Sequence, residues 1–262
     1  MTLEPAEVLD AGSALLAELN TRIPEFHGLV APDVVLGALG LPIARVNSAS
    51  ATRFTPETAD RRIDEVIAWF DARGLPFVWR LGPADRPSDL QDRLLAKAFT
   101  LDPDEMPGMA APLDDLPPLD LPPGVTVEPV LDREVFGQWQ AVLVAGFGMP
   151  APVGEAFGRF ADLGFDDSLP TRGFLARLEG EPVATSLGVL AGGGLVILNV
   201  TTLAEARGRG IGRAVTLATM HAGAREGATL AVLQSTEPGF GVYRALGFEE
   251  FGRYRVLARL PD

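Results

Sequence analysis

A proline-rich segment near the middle of the chain sets the strongest limit on how this sequence can fold. Residues 111–124, APLDDLPPLDLPPG, combine prolines with aspartates and leucines. Proline lacks a backbone N–H and fixes φ, so such a run forms neither a regular helix nor a central strand. The sequence therefore predicts a first domain of residues 1–112, a linker of residues 113–124 and a second domain of residues 125–262.

Composition narrows the range of partners. The 262 residues carry a net charge of −13, and 47% of them are apolar. A sizeable core can therefore form, while the acidic balance argues against nucleic acid and anionic membranes, which are bound by clustered Lys and Arg. The chain has no cysteine, and His221 has no Asp or Glu at ligand spacing around it, so we expect no disulfide and no metal site at either His221 or His27.

An uncharged stretch from residue 182 to 204 raises the question of a membrane span. Three consecutive glycines, Gly192 to Gly194, interrupt it, and Val, Ile and Thr flank them on both sides. This pattern favours two buried strands joined by a tight turn. The first ten residues are acidic and do not resemble a secretory signal. We therefore expect a cytoplasmic protein that does not associate with membranes.

The second half predicts an α+β fold with a mixed sheet. The expected elements, in chain order, are a strand at 125–130, helices at 133–146 and 153–163, strands at 173–178, 183–190 and 195–203, a helix opened by a glycine-rich turn and running to 225, a strand at 229–234, a helix at 240–246 and a closing strand pair within 248–260. The first half predicts a similar order, which suggests a duplicated fold. Its expected elements are a strand at 44–54, a helix at 56–73, a strand at 76–81 and a helix at 88–98 with Ser88 as its N-cap.

The glycine-rich turn is Arg207-Gly208-Arg209-Gly210-Ile211-Gly212-Arg213, between an apolar strand and an amphipathic helix. Glycines allow close backbone approach, and N–H groups at a helix N-terminus together with three arginines favour a polyanion such as a pyrophosphate. A Walker A loop would need Lys followed by Ser or Thr, and a Rossmann fingerprint would need glycine in place of Arg213. An ordinary tight turn with surface arginines remains the alternative.

Two motifs together resemble one family. Arg207-x-x-Gly210-x-Gly212 resembles the acetyl-CoA pyrophosphate loop of the GNAT superfamily of N-acetyltransferases, whose pattern is Gln/Arg-x-x-Gly-x-Gly/Ala. The later segments 233–236 (LQST) and 242–248 (VYRALGF) resemble the late strand, short helix and Gly-Phe ending of that family. The resemblance covers about residues 125–260. The first half is similar to the degenerate partner domain of tandem members, since it has no glycine between Phe54 and Arg73 to form the loop.

The resemblance implies tandem GNAT-like folds, each with a mixed, mostly antiparallel sheet flanked by helices, of which only the second binds acetyl-CoA. It implies that backbone groups of Val200, Thr201 and Thr202 pair with the pantetheine arm and that the N–H groups from Gly208 to Arg213 hold the pyrophosphate. Thr236 stands where many members carry an arm-binding Asn. Tyr243 matches the tyrosine that in many members protonates the departing thiolate; the alternative is a tyrosine that only packs the short helix on the sheet.

One departure from the family concerns the general base. Several members place a glutamate on the strand before the loop, where this chain has Val196. Asp166, Asp167 and Glu237 are carboxylates near the expected cleft, but each reads better as a solvated loop residue, and we name no base.

These observations lead to one hypothesis and two rivals. The chain is expected to act as an acetyl-CoA-dependent N-acetyltransferase on a small-molecule amine, or on a peptide, as a monomer or homodimer. The main rival is a non-catalytic acyl-CoA sensor or scaffold. The second rival treats the turn as a generic phosphate site of a nucleotide-binding protein, which the absence of a lysine or a suitable acidic pair disfavours.

Overall fold

The computed structural model describes residues 3–165 and 168–259. Within these ranges the helices are α1 (Pro5–Asn20), α2 (Ala59–Asp71), α3 (Leu90–Ala96), α4 (Arg133–Phe147), α5 (Ala151–Gly158), α6 (Ile211–Arg225) and α7 (Glu237–Arg244). The strands are β1 (His27–Ala31), β2 (Val34–Ala38), β3 (Asn47–Ser50), β4 (Phe77–Leu81), β5 (Thr100–Leu101), β6 (Met106–Pro112), β7 (Val125–Pro129), β8 (Thr171–Leu178), β9 (Glu181–Ala191), β10 (Gly194–Thr202), β11 (Leu230–Gln234) and β12 (Glu249–Arg259).

The chain divides into two compact units, each discontinuous in sequence. The first unit comprises Asp10–Gly108 together with the chain from Gly252 onward, and the second comprises the chain up to Leu9 together with Met109–Phe251. Strand β12 explains why the first unit includes the C-terminal residues, because its residues 255–259 pair antiparallel with β4. The sequence analysis divided the chain into continuous halves, since a local pattern does not reveal which distant strand will accept the hydrogen bonds of another.

The first unit contains a sheet of order β1-β2-β3-β4-β12, with β5 also paired to β12. Only the β3–β4 pairing is parallel among its registers. The apolar spacing of α2 buries Ile63, Val66 and Phe70 against this sheet. Phe70 stacks on Phe77 of β4 with ring centroids 3.9 Å apart, and Trp79 is fully buried beside them.

The second unit contains a sheet of order β6-β11-β10-β9-β8-β7 with helices on both faces. Leu175 and Ala176 are adjacent in β8 and therefore point to opposite faces. Leu175 packs in one buried cluster with Trp139 and Leu143 of α4, and Ala176 packs in another with Val215 of α6. The β10–β11 register is parallel, and those of β7, β8, β9 and β10 with one another are antiparallel. The expectation of an α+β fold with a mostly antiparallel sheet flanked by helices is confirmed.

Local sequence accounts for the ends of α4. The Asp132 side chain accepts a hydrogen bond from the Val135 N–H at 2.8 Å, which caps the helix N-terminus. Gly148 ends the helix in the left-handed conformation, with φ of +60°, which favours glycine. The helix therefore stops where the sequence analysis expected it, within one residue.

The proline-rich segment packs against the second unit. Residues 113–124 form no helix or strand, but Leu113 is buried, and its N–H donates to the Thr229 carbonyl at 3.0 Å. Leu116 and Leu119 contact the same core cluster. Nε2 of His221 in α6 lies 2.9 Å from the Pro117 carbonyl oxygen, within hydrogen-bonding distance. The segment is therefore ordered by leucines that alternate with its prolines and aspartates.

Several element predictions were wrong. The expected closing strand pair is the single strand β12, and the expected helix at 153–163 is α5 followed by a 3-10 helix at Arg159–Leu163. Helix α3 has Asp89, rather than Ser88, at its N-cap position. Helix α1 and strands β1 and β2 were not predicted at all. None of the helices in the described part of the chain is long and apolar enough to cross a membrane.

Candidate functional site

The site begins where β10 and β11 separate. Their parallel register joins Leu195 to Ala231 and Val196 to Val232. Strand β10 continues to Thr202 and β11 to Gln234. An additional extended segment could form hydrogen bonds with the backbone groups that face this gap, as an added strand would.

A bulge in β10 marks the start of the gap. The antiparallel register with β9 joins Leu198 to Leu187 and next joins Thr201 to Thr185, so two residues of β10 lie opposite one of β9. The first of these two, Asn199, has a φ of +54°. Sequence reasoning missed this feature; the available signal was a lone asparagine, which tolerates the left-handed region, within an apolar strand.

The glycine-rich turn follows β10 directly. Gly208 and Gly210 have φ values of +75° and +76°, which require glycine or a strained side chain, and Gly210 occupies the N-cap position of α6 without a side-chain cap. The first N–H groups of a helix have no partner within that helix. Ile211 is buried and anchors the first turn. Gly212 lies close to Thr202, since a Cβ there would be 3.3 Å from Thr202 Oγ1.

No carboxylate in the described part of the chain pairs with the three arginines of the turn. Arg207 and Arg209 are exposed and Arg213 is half-buried. None of the three forms an ion pair with a residue in the described ranges, whereas most other arginines of the chain do. Nε of Arg207 donates to the Thr202 carbonyl at 3.0 Å, which ties the turn to the end of β10. The positive charges and the helix N-terminus together make the electrostatic potential at this turn favourable for an anion.

The structure brings the strand-end residues and Tyr243 to one side of the second unit. Val200 is half-buried and packs against the core cluster that contains Tyr243. Thr201 is buried against the last turn of α4, where a Cβ on Gly146 would lie 2.4 Å from Thr201 Oγ1. Thr236 is exposed at the N-cap position of α7, and its side chain makes no capping hydrogen bond.

Tyr243 is 8% exposed, and its ring packs edge-on against Phe248 with centroids 5.8 Å apart. Burial raises the pKa of Tyr243 to about 12. Among the described residues none is hydrogen-bonded to its hydroxyl. The side chain therefore keeps its proton at neutral pH and has that proton available to donate.

Within residues 3–165 and 168–259, no carboxylate base is evident at the gap. Val196 is buried at 2% exposure in β10, and Glu237 is exposed on α7. Asp166 and Asp167 lie outside the described residues. In the described ranges no group of three His, Asp or Glu side chains could hold a metal ion.

The corresponding gap in the first unit is closed. Strands β3 and β4 share only two register pairs, like β10 and β11. However, the Arg86 N–H donates to the Thr52 carbonyl at 3.0 Å, and the Phe54 N–H donates to the Arg86 carbonyl at 3.2 Å. A carboxylate oxygen of Asp85 accepts from the Thr52 N–H at 2.6 Å. The chain itself thus occupies the backbone groups that the second unit leaves available.

A surface groove of about 370 Å³ lies elsewhere in the second unit, between the proline-rich segment, β7, β8 and the second half of α6. Its lining residues are Leu119, Val127, Pro129, Arg172, Phe174, Ala218, Ala222, Arg225 and Glu226. None of the candidate site residues lines it.

One protein family matches the part of the chain that contains this site. Residues 148–248, which include the gap, the turn and Tyr243, match the acetyltransferase (GNAT) family. No curated protein matches the chain.

Solved structures share the fold across nearly the whole chain. A GCN5-related N-acetyltransferase from Kribbella flavida has a TM-score of 0.74 and 22% identity, covering 96% of each chain. One from Sphaerobacter thermophilus has a TM-score of 0.64 and 20% identity, covering 97% of this chain and 90% of that chain. A tandem GNAT protein from the clavulanic acid biosynthesis pathway has a TM-score of 0.58 and 16% identity, with 97% and 94% covered.

Proposed function

We propose that the second unit transfers an acetyl group from acetyl-CoA to the amine of a small molecule, or of a peptide, by direct attack of the amine on the thioester. The observation that carries this proposal is the conjunction of the β10–β11 gap with a glycine turn whose three arginines have no carboxylate partner among the described residues. The family match over residues 148–248 supports acyl transfer from an acyl-CoA.

The residues present fit such a substrate. Backbone N–H groups from Gly208 to Arg213 would hold the pyrophosphate, because they begin α6 without a side-chain cap. Backbone groups of Val200 to Thr202 would pair with the pantetheine arm in the gap, and the exposed Thr236 hydroxyl would reach it from α7. Acetyl-CoA supplies the activated acyl thioester; the chain binds and orients it.

Tyr243 is the proposed general acid. It holds a proton on Oη at neutral pH and would deliver that proton to the sulfur as the thiolate departs. Tyr243 is buried in the cluster against which Val200 packs, which would limit the access of water to this transfer. Since no carboxylate base is evident among the described residues, we propose that the amine attacks in its neutral form.

We further propose that the first unit does not bind acetyl-CoA and acts as a scaffold. Its β3–β4 gap is filled by the hydrogen bonds of Asp85 and Arg86, and no glycine turn precedes α2.

The rival proposal is an acyl-CoA sensor or scaffold without turnover. The valine at position 196 favours it, because several family members carry a glutamate there. The retention of Tyr243 favours the enzyme, because its hydroxyl keeps its proton at neutral pH.

Thermal unfolding with acetyl-CoA, ATP or NAD tests the binding site. A ligand at 100 times its Kd stabilises the folded state by about 2.7 kcal/mol. We expect acetyl-CoA alone to raise Tm, and equal shifts with ATP would contradict the acetyl-CoA assignment. Release of free thiol across a panel of amines then separates the enzyme from the sensor.

A further inference from the structure

A single buried hydroxyl on β9 holds the bulge in β10. Thr185 is fully buried, and its Oγ1 donates to the Asn199 carbonyl at 2.7 Å. Asn199 has a left-handed φ of +54°, a region that asparagine tolerates better than most residues other than glycine. The hydroxyl is thus a polar contact made at the bulged residue itself.

Other contacts hold the strand after the bulge. The close approach of Gly146 fixes Thr201 from α4, and the Arg207 guanidinium fixes the Thr202 carbonyl. The end of β10 is therefore restrained from three different elements, and the contact from β9 is the one that sets the direction of the backbone where the gap begins.

The bulge lies at the end of the gap that the thioester would occupy. The pyrophosphate site is at residues 208–213, and the arm would run back from it along Thr202, Thr201 and Val200. An extended strand rises about 3.3 Å per residue, so residues 200–202 offer the arm about 10 Å of backbone. The far end of the arm would therefore lie beside Val200 and the bulge. Val200 packs in the same cluster as Tyr243, the proposed proton donor to the sulfur.

We propose that Thr185 is a positioning residue: by holding the Asn199 carbonyl it directs the Val200 N–H into the gap, where that N–H donates to the carbonyl oxygen of the thioester. This inference rests on the proposed function. Thr185 acts through the backbone of β10 and touches no substrate. A threonine in the middle of a buried strand would otherwise be read only as a core residue.

The test compares the affinities of acetyl-CoA and CoA by isothermal titration calorimetry, which requires no knowledge of the amine. CoA lacks the carbonyl that the Val200 N–H would bind, so the ratio of the two affinities reports on this contact. We expect Thr185→Val to lower the preference for acetyl-CoA about fivefold, which is the size of one net hydrogen bond, with little change in CoA affinity. Thr185→Ser keeps the hydroxyl and should retain the preference of the wild type.

Thr52→Val is the matched control. Thr52 is also fully buried, and its hydroxyl accepts a hydrogen bond from the Trp79 indole at 3.0 Å, but it lies in the first unit. This variant should lower Tm and leave the affinity ratio unchanged. If Thr185→Val does not fold, Thr185→Ala, which leaves space for a water molecule at the Asn199 carbonyl, should lower the ratio in the same direction.

The possible failures are distinguishable. If the wild-type protein binds neither acetyl-CoA nor CoA, the proposed function is overturned, and this inference with it. If the wild type binds both and the Thr185 variants keep its ratio, only the role of Thr185 is overturned. An equal change of ratio in Thr52→Val would also overturn it, because the effect would then follow from general destabilisation.

Discussion

Replacing Tyr243 by phenylalanine removes one oxygen atom and keeps the ring that packs on Phe248. The hydroxyl has no hydrogen-bond partner among the described residues, so its loss leaves no buried donor or acceptor without a partner. We therefore expect the free energy of unfolding to change by less than about 0.5 kcal/mol, the range of substitutions that break no specific contact.

The catalytic effect should be much larger. General acid catalysis contributes about 100- to 10,000-fold to a rate, and a 100-fold loss of kcat corresponds to about 2.7 kcal/mol of transition-state stabilisation. The KM for acetyl-CoA should change little, because the proposed proton transfer occurs only as the thiolate departs. With the pKa of Tyr243 raised to about 12, the wild-type enzyme should show no loss of this acid at any pH below about 11.

The assay is thiol release with the best amine from the panel, together with thermal unfolding of each variant. Tyr254→Phe is the matched control, since Tyr254 is also buried and the chain has only these two tyrosines. Tyr254 belongs to the first unit, so its variant should keep kcat and KM. An unchanged kcat in Tyr243→Phe, or a similar fall in both variants, would refute the assignment of Tyr243 as the acid.

Three further predictions concern the turn and the first unit. Arg209→Ala should weaken acetyl-CoA binding about threefold, which is the size of an exposed charge contact. This loss of affinity should become smaller as the salt concentration rises, and calorimetry at two ionic strengths measures it. Gly210→Ala should destabilise the protein by about 1–2 kcal/mol in urea unfolding, because alanine at a φ of +76° strains the backbone although its Cβ would meet Pro122 at an ordinary 3.5 Å. Burial raises the pKa of Asp85 to about 6, against hydrogen bonds from Gly82 and Thr52; its protonated form is therefore favoured by folding. The free energy of unfolding that this carboxyl contributes should be fully present below pH 4 and lost as the pH rises through 6. The loss should be about 1.4 kcal/mol per unit of difference between the folded and unfolded pKa. Asp85→Asn should remove this dependence of the free energy of unfolding on pH, as measured by urea unfolding at pH 4 and pH 7.

Features that depend on neighbouring residues in sequence could be predicted. The apolar spacing of α2 and α6, the uncharged runs of β9 and β10, and the glycines of the turn each produce their structure locally. The short strands β1 and β2 were missed because five residues carry little periodic signal, and β12 was taken for a pair because the β4 residues that it pairs with lie more than 170 positions away.

The same distinction between local and distant causes applies to the candidate site. Its glycine-rich turn is a continuous sequence motif, and Tyr243 belongs to a second such motif. The left-handed Asn199 depends on a hydroxyl from β9, and the closed gap of the first unit depends on Asp85 reaching Thr52 across 33 residues. The lone asparagine is a weak local sign of the first contact, and the residues around Asp85 and Thr52 give no sign of the second.

The sharing of chain ends between the units has a consequence for biosynthesis. A ribosome makes the chain from its N-terminus, yet the first unit needs residues from Gly252 onward to pair with β4. Until the residues of β12 have been synthesised, β4 presents an uncovered edge to the cellular environment, and such edges attract other strands. The nascent first unit therefore cannot finish folding until β12 has left the ribosome.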